Sequence, residues 1–438
     1  MGGGLLQLVA YGAQDVYLTG NPQITFWKVS YRRYTNFSME AIEQEFNGQA
    51  STGGRVTCQI SRNGDLIHKM YLSITTSNNG TTAAVCRGYM YALIQYVEVE
   101  IGGQRIDRQY GEWMSIWNQL SLPLGKHVGF CSMVDYVAVG ISGAGTTKNI
   151  EAIIPLEFWF CRNPGLALPL IALQYHEVKI NIQFNPESTL RKSPSTASNF
   201  VIGSANLWVD YIFLDTDERR RMAQNPHEYL IDQVQFTGAS TLNTGSAISK
   251  STIHLNFNHP VKELIWVAHP TYPSTGTNSE TVDSFSFFSP IISANLQLNG
   301  QDRFASRNGS YFNTVQPLQC HSNIPLYPGF LPATSETALG DAGIDSVTSG
   351  IHVYSFSLRP EEHQPSGTCN FSRIDSATLN LTTKGTGGIL VVGEGGAGNQ
   401  PFTLPELKAA PPTSVNIYAI NYNVLRIMSG MGGLAYSN

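Results

Sequence analysis

The sequence predicts an all-β protein built of two β-sandwiches in tandem. Three observations carry that prediction: a composition rich in turn formers and aromatic residues but poor in charge, short alternating apolar segments that recur along the chain, and a weak internal repeat. Across 438 residues there are 41 Gly, 22 Pro, 20 Tyr and 20 Phe, and charged residues make up 13%, against a usual globular share of ~25%. Hydrophobic residues at 42% supply a sizeable core, which excludes global disorder. The absence of charged heptads excludes a coiled coil, and the composition fits neither collagen nor a helical bundle. Length alone suggests about three domains, but large β units reach ~200 residues, so two are equally admissible. A formal charge of -5 and a pI near 6.1 argue against a nucleic-acid coat or a basic membrane-surface protein.

From the N-terminus, MGGGLLQLVAYGAQD lacks the basic start and long apolar run of a secretory signal. Leu6 stands where a myristoylation signal wants Ser or Thr. The longest nearly apolar stretch, 166–173, contains a proline and falls far short of the ~20 residues of a spanning helix. The expectation is a soluble chain not secreted by a classical route. Strand-like segments follow at 96–101 (YVEVEI), 178–184 (VKINIQF), 206–213 (NLWVDYIF), 294–298 (ANLQL), 377–381 (ATLNL) and 389–392 (ILVV). Turn formers separate them, as in a sandwich or barrel. Alternation places Val97, Val99 and Ile101 on a core face and Glu98 and Glu100 on a wet or partner-facing side. One good helix candidate, 215–224 (DTDERRRMAQ), has an Asp cap, early acids and Pro226 just beyond. The Gly/Ser/Thr/Asn stretches 77–82, 238–251, 274–281 and 334–350 read as surface loops suited to display.

The repeat is the most informative feature. Val99-Glu100-Ile101-Gly102-Gly103-Gln104 matches Leu296-Gln297-Leu298-Asn299-Gly300-Gln301. After a one-residue insertion, Arg105-Ile106 matches Arg303-Phe304, Gly111 matches Gly309 and Trp113 matches Tyr311. Further on, Ile180-Asn181-Ile182 matches Leu379-Asn380-Leu381. The separation stays at roughly 200 residues, the size of one β unit. Each copy thus holds a strand, a tight turn around Gly-Gln, an aromatic-rich segment and a later alternating strand. The chain divides into an N-terminal arm (1–24), a first unit (25–214), a linker with a short helix (215–228) and a second unit (229–438).

No catalytic apparatus stands out. Gly393-Glu394-Gly395-Gly396-Ala397-Gly398 spells a dinucleotide fingerprint, but Pro401 and Pro405 follow where a helix must start, so it reads as a loop. His176-Glu177 and His227-Glu228 begin a zinc motif whose fifth positions are Ile180 and Ile231. A nucleophile elbow fails at Gly140-Ile141-Ser142-Gly143-Ala144, and no carboxylate pair is singled out for glycoside chemistry. Arg219-Arg220-Arg221 lies among Asp215, Asp217 and Glu218 and reads as a self-paired solvated helix. The six cysteines (Cys58, Cys86, Cys131, Cys161, Cys320, Cys369) show no C-x-x-C pair and read as free thiols of a reducing compartment. Sequons occur at Asn36, Asn79, Asn308, Asn370 and Asn380; only Asn79 and Asn308 have turn-like surroundings suited to sugar.

Several blocks together resemble one family: 10–28 (AYGAQDVYLTGNPQITFWK), 97–107 (VEVEIGGQRID), 164–178 (PGLALPLIALQYHEV), 208–219 (WVDYIFLDTDER), 364–375 (QPSGTCNFSRID) and 421–434 (NYNVLRIMSGMGGL). They look like the major capsid protein of nucleocytoplasmic large DNA viruses, with the nearest likeness to the chlorovirus type of green algae. The resemblance implies two tandem eight-stranded jelly-roll β-sandwiches, a double jelly roll with few short helices. It further implies a homotrimer of pseudo-hexagonal outline that tiles the icosahedral shell of a large dsDNA virus over an internal membrane. The implied partners are the chain itself, neighbouring capsomers, minor capsid proteins beneath the shell and covalent glycans, with no direct nucleic acid, no cofactor, no metal and no enzymatic activity. The implied place is the virion shell, after assembly in the host cytoplasm, with the arm on the inner side and loops, chiefly of the second half, outside. Low charge fits extensive interfaces, because desolvating unpaired charge is costly. Interface candidates are Arg32, Arg33 and Tyr34, and the MSGMGG run, where Gly430, Gly432 and Gly433 permit close backbone approach; turn and core roles stand beside that reading. Two alternatives share the fold: a minor capsid paralogue at a special lattice position, and a lectin-like jelly roll in which loop aromatics such as Tyr272 stack on host surface glycans.

Overall fold

The principal strands are β1 (Phe37–Glu45), β2 (Arg55–Gln59), β3 (Leu66–Asn78), β4 (Ile94–Ile101), β5 (Gln104–Tyr110), β6 (Lys148–Pro155), β7 (Val178–Phe184), β8 (Phe200–Leu214), β9 (His227–Phe236), β10 (Ile248–His254), β11 (Pro260–Pro270), β12 (Ile291–Leu298), β13 (Gln301–Asp302), β14 (His352–Ser355), β15 (Ala377–Lys384) and β16 (Pro412–Met428). They come from a computed structural model that describes residues 3–78, 88–134, 148–190, 200–243, 248–270, 291–325, 350–384 and 412–436. The first half forms sheets β1-β8-β3-β6 and β2-β7-β4-β5, and the second forms β9-β16-β11-β14 and β10-β15-β12-β13. Strand for strand the second order repeats the first, and all recorded pairings between principal strands are antiparallel. The fold is a double jelly roll.

The repeat marks equivalent points of the two rolls. Between β4 and β5, Gly102 and Gly103 have φ of 58° and 85°; between β12 and β13, Asn299 and Gly300 have 51° and 78°. Positive φ at both central residues makes these the hairpin turns whose twist matches the strands, which is why Gly-Gly and Asn-Gly occupy them. A Cβ on Gly111 would stand 2.0 Å from the Tyr91 carbonyl oxygen, and one on Gly309 would stand 2.0 Å from that of Ile291. The correspondence reaches side chains: Asn181 on β7 accepts from Thr57 on β2 at 2.8 Å, and Asn380 on β15 accepts from Thr252 on β10 at 2.8 Å. The sequon at Asn380 is therefore engaged within a sheet.

Val97, Val99 and Ile101 face the core as their alternation requires. Glu98, expected on a wet face, is itself buried, because three arginines close over it. The Thr216–Gln224 helix forms where the Asp cap predicts it. Arg221 pairs with Glu218 at 3.5 Å, but the Arg219 side chain reaches off the helix to grip Asp65 of the first roll, with Nε–Oδ1 and Nη2–Oδ2 both at 3.0 Å. The expected loop 238–251 in fact contains the start of β10, whose inward positions include Ser249 and Ser251. Small polar residues facing inward hide a strand from hydropathy. Segment 389–392 lies outside the described residues. The aromatic-rich segment after β5 is a helix, Gly111–Ser121, with Trp113, Met114, Ile116, Trp117 and Leu120 all buried.

Two compact units partition the chain, Met1–Phe37 and Ser38–Asn438, the latter holding both rolls. The smaller has helices Gly3–Val9 and Val16–Thr19, neither with a buried residue.

The glycine geometry sets an order of tolerance. Gly103→Ala meets open space and bears only left-handed backbone strain, about 1–2 kcal/mol. Gly111→Ala and Gly309→Ala bear no left-handed strain but drive Cβ into a carbonyl oxygen, so they lose clearly more stability in chemical denaturation; equal losses at the three sites would contradict this account.

Candidate functional site

The joint between the rolls is where the chain becomes one body. The middle of the sheet β9-β16-β11-β14 is buried on both faces, while Glu228 and Arg426 form an exposed pair at its β9-β16 end. Leu264, Trp266, Ala268, Val415, Ile417 and Ala419 pack into the second roll's own core, whereas Ile265, Val267, Val353, Tyr418 and Ile420 join the core cluster of the first roll. A strand with two buried faces has no polar side to alternate, which is why β11 contains the unbroken apolar run 264–268. Aromatic rings tie the seam, with Tyr110–Phe236 at 4.9 Å, Phe236–Tyr418 at 4.8 Å and Trp113–Tyr418 at 5.6 Å between centroids.

Polar groups fix the register of that seam. Glu112, in the first turn of the Gly111–Ser121 helix, meets His269 Nε2 at 2.6 Å and accepts from Asn416 Nδ2 at 2.6 Å and the Tyr418 hydroxyl at 2.8 Å. Burial would raise the Glu112 pKa, but His269 and the two donors outweigh it and hold the carboxylate below its ordinary value. Arg162 of the first roll lies over the Trp117 ring at 4.1 Å and reaches Asp232 of the second at 3.9 Å. Asp232 also faces the buried Lys262 ammonium at 3.4 Å. Asp107 accepts from the Val234 amide at 3.1 Å, and burial, despite this bond, pushes its pKa up to about 7. His321, beneath Trp117, is held between Glu263 at 2.9 Å and Glu361 at 3.0 Å.

The C-terminal glycines also belong to the seam. Ser429 and Gly430 have φ of 52° and 80° and turn β16 into the short strand Met431–Leu434. The Tyr175 amide donates to the Gly430 carbonyl at 3.0 Å, and the Gly432 amide donates to His176 Nδ1 at 3.1 Å. A Cβ on Gly432 would lie 2.7 Å from Leu173, and one on Gly433 3.0 Å from Gln104. These glycines thus clasp the second roll's tail to the first roll of the same chain. Arg32, Arg33 and Tyr34 lie in the smaller unit, exposed and outside regular structure. Asn308 is exposed on a two-residue strand beside β12 and accepts from the Ser310 amide at 3.1 Å. Asn79, Tyr272, the 393–398 glycine run and the 140–144 elbow fall outside the described residues. Among the described residues no group of three His, Cys, Asp or Glu could hold a metal, five cysteines are free, and no helix is long and apolar enough to cross a membrane.

The comparisons follow this architecture. A family model described as major capsid protein N-terminus matches residues 25–215, and one described as large eukaryotic DNA virus major capsid protein matches 218–331 and 342–433. The chain belongs to the major capsid protein family of large eukaryotic DNA viruses. It is similar to the major capsid protein of Pyramimonas orientalis virus, 51% identical over 441 residues, and to that of Paramecium bursaria Chlorella virus 1, 46% identical over 478; all of each chain is covered in both cases. In the quasi-atomic model of the latter virus's capsid, the matching chain superposes with a TM-score of 0.73 at 39% identity, covering 94% of this chain and 100% of that one. The Faustovirus major capsid protein, at 12% identity and a TM-score of 0.63, shares the fold. This capsid protein is accordingly a structural component of the virion shell.

Sequence reasoning missed the joint. The run at 264–268 was its legible signal, whereas nothing local links Glu112 to His269, Asn416 and Tyr418. The buried His321 gives the capsid chain a pH dependence. Burial would lower its pKa, but Glu263 and Glu361 push it up to about 9. A raised histidine stabilises fully below the ordinary value of about 6.5 and loses that contribution as pH rises to about 9. The expected denaturation midpoint therefore falls across this alkaline window, and less so in His321→Asn; parallel pH profiles for the two chains would remove His321 as the cause.

Proposed function

We propose that the chain acts without catalysis as a double tile, three copies forming a trimer of pseudo-hexagonal outline that paves an icosahedral shell. The observation that carries this is the doubly buried sheet of the joint. It holds two like sandwiches side by side in one rigid body, so that threefold assembly sets six similar rolls around an axis. A permanent trimer contact of this class buries more than ~2,000 Å². The boundaries we assign are an arm at 1–24, a first roll at 25–214, a linker at 215–228 and a second roll at 229–438, with the arm turned to the inside of the shell. Arg32, Arg33 and Tyr34 are assigned to contacts with other chains, including minor capsid proteins beneath the shell. Gly430, Gly432 and Gly433 are assigned to preparing the surface that such contacts use. Asn308, exposed on its two-residue strand, is the described candidate for a glycan, with Asn79 the second. Assembly is placed in the host cytoplasm.

Light scattering after gel filtration tests the reading. The expected result is a single species near three times 48.0 kDa that is stable on dilution; a clean monomer would overturn the trimer.

A further inference from the structure

The two outer faces of the first roll carry opposite charge. On the β2-β7-β4-β5 face, the buried carboxylate of Glu98 is capped by Arg55 at 3.5 Å, Arg105 at 3.7 Å and Arg108, whose Nε donates to it at 2.6 Å. The arginine side chains remain 51%, 54% and 31% exposed. Of the other charges there, Glu100 accepts from Asn181 and Lys179 pairs with Glu177, so the outermost layer is an excess of guanidinium in a chain whose net charge is -5. A cavity of about 240 Å³, lined in part by Arg105, Arg108, Gln233 and Gln235, lies beside them.

The opposite face, on β1-β8-β3-β6, is aromatic and acidic. The register sets Trp208, Tyr71 and Pro155 in one row across three strands, with Ile153 in the next. Trp208 is 38% and Ile153 39% exposed. Around them stand Glu43, Glu45, Glu151 and Asp210, and Lys69 acts on Glu157 rather than on these carboxylates. Guanidinium groups both stack on such rings and pair with such carboxylates, the combination typical of interface anchors.

Neither face can pair with its own copy, because like charges would oppose. They complement each other. We propose that the guanidinium face of one copy docks on the acidic, aromatic face of the next. Because the two faces belong to opposite sheets of one sandwich, the contact is heterologous and adds copies in a row rather than closing a pair, as a lattice requires. This rests on the capsid reading and assigns one of its contacts between copies.

The test uses sedimentation velocity on the full chain at low and high salt. Two variants are made, Arg55→Glu/Arg105→Glu and Glu43→Arg/Glu151→Arg, which leave Arg108 on Glu98. Wild type is expected to form species beyond its discrete oligomer at low salt and to lose them at high salt. Each variant alone should associate at least about tenfold more weakly, and an equal mixture should regain association, because each then meets a face of opposite sign. Recovery on mixing is a result that misfolding cannot produce. Wild-type behaviour in both variants, no low-salt association in wild type, or loss without recovery on mixing would each overturn the proposal. So would association that survives the swaps but disappears on deleting the arm, residues 1–24, which would give the acidic face to the arm. The oligomer mass at high salt reports on the trimer separately.

Discussion

Across its middle the sheet β9-β16-β11-β14 has no solvent face, and the rest of the molecule is arranged around that fact. A jelly roll ordinarily buries the inner side of each sheet and wets the outer. Here the outer side of one sheet is the floor of the neighbouring roll, through Ile265, Val267, Tyr418 and Ile420, all within 1% of complete burial. Burial of such side chains is worth about 1.5–3 kcal/mol each relative to exposure. Separating the rolls would forfeit that sum at once, so the pair moves as one piece.

The polar groups in the seam do a different job. Buried ion pairs seldom add much net stability, because desolvation offsets attraction, but breaking one is costly. Glu112 with His269, Asn416 and Tyr418, and Arg162 with Asp232, accept one alignment of the two rolls and penalise others. An apolar seam alone would tolerate a slide; a carboxylate that needs three donors from two strands does not. The C-terminal hairpin adds a backbone clasp to the first roll, where a Cβ on Gly432 would crowd Leu173.

Much of this fold is written locally, and some is not. The turns at Gly102-Gly103 and Asn299-Gly300 and the glycines at 111 and 309 are legible because positive φ and a close carbonyl leave few residue choices. The repeat survives wherever such constraints act. β10 was hidden because its inward residues include serines, and Glu98 looked wet because its covering arginines come from other strands. The joint is legible only as an apolar run without alternation; its pairing partners lie far apart in the chain, beyond any periodicity. The opposed charges of the two roll faces were equally unreadable, since each is gathered from several strands.

The doubly covered sheet also bears on synthesis. The first roll emerges from the ribosome before β11 and β16 exist, and domains generally fold as they appear. During that interval the seat around Tyr110, Trp113 and Trp117 has nothing to cover it. A finished first roll therefore exposes an apolar seat until the second roll closes the seam. The feature that makes the finished tile rigid makes the half-made one vulnerable.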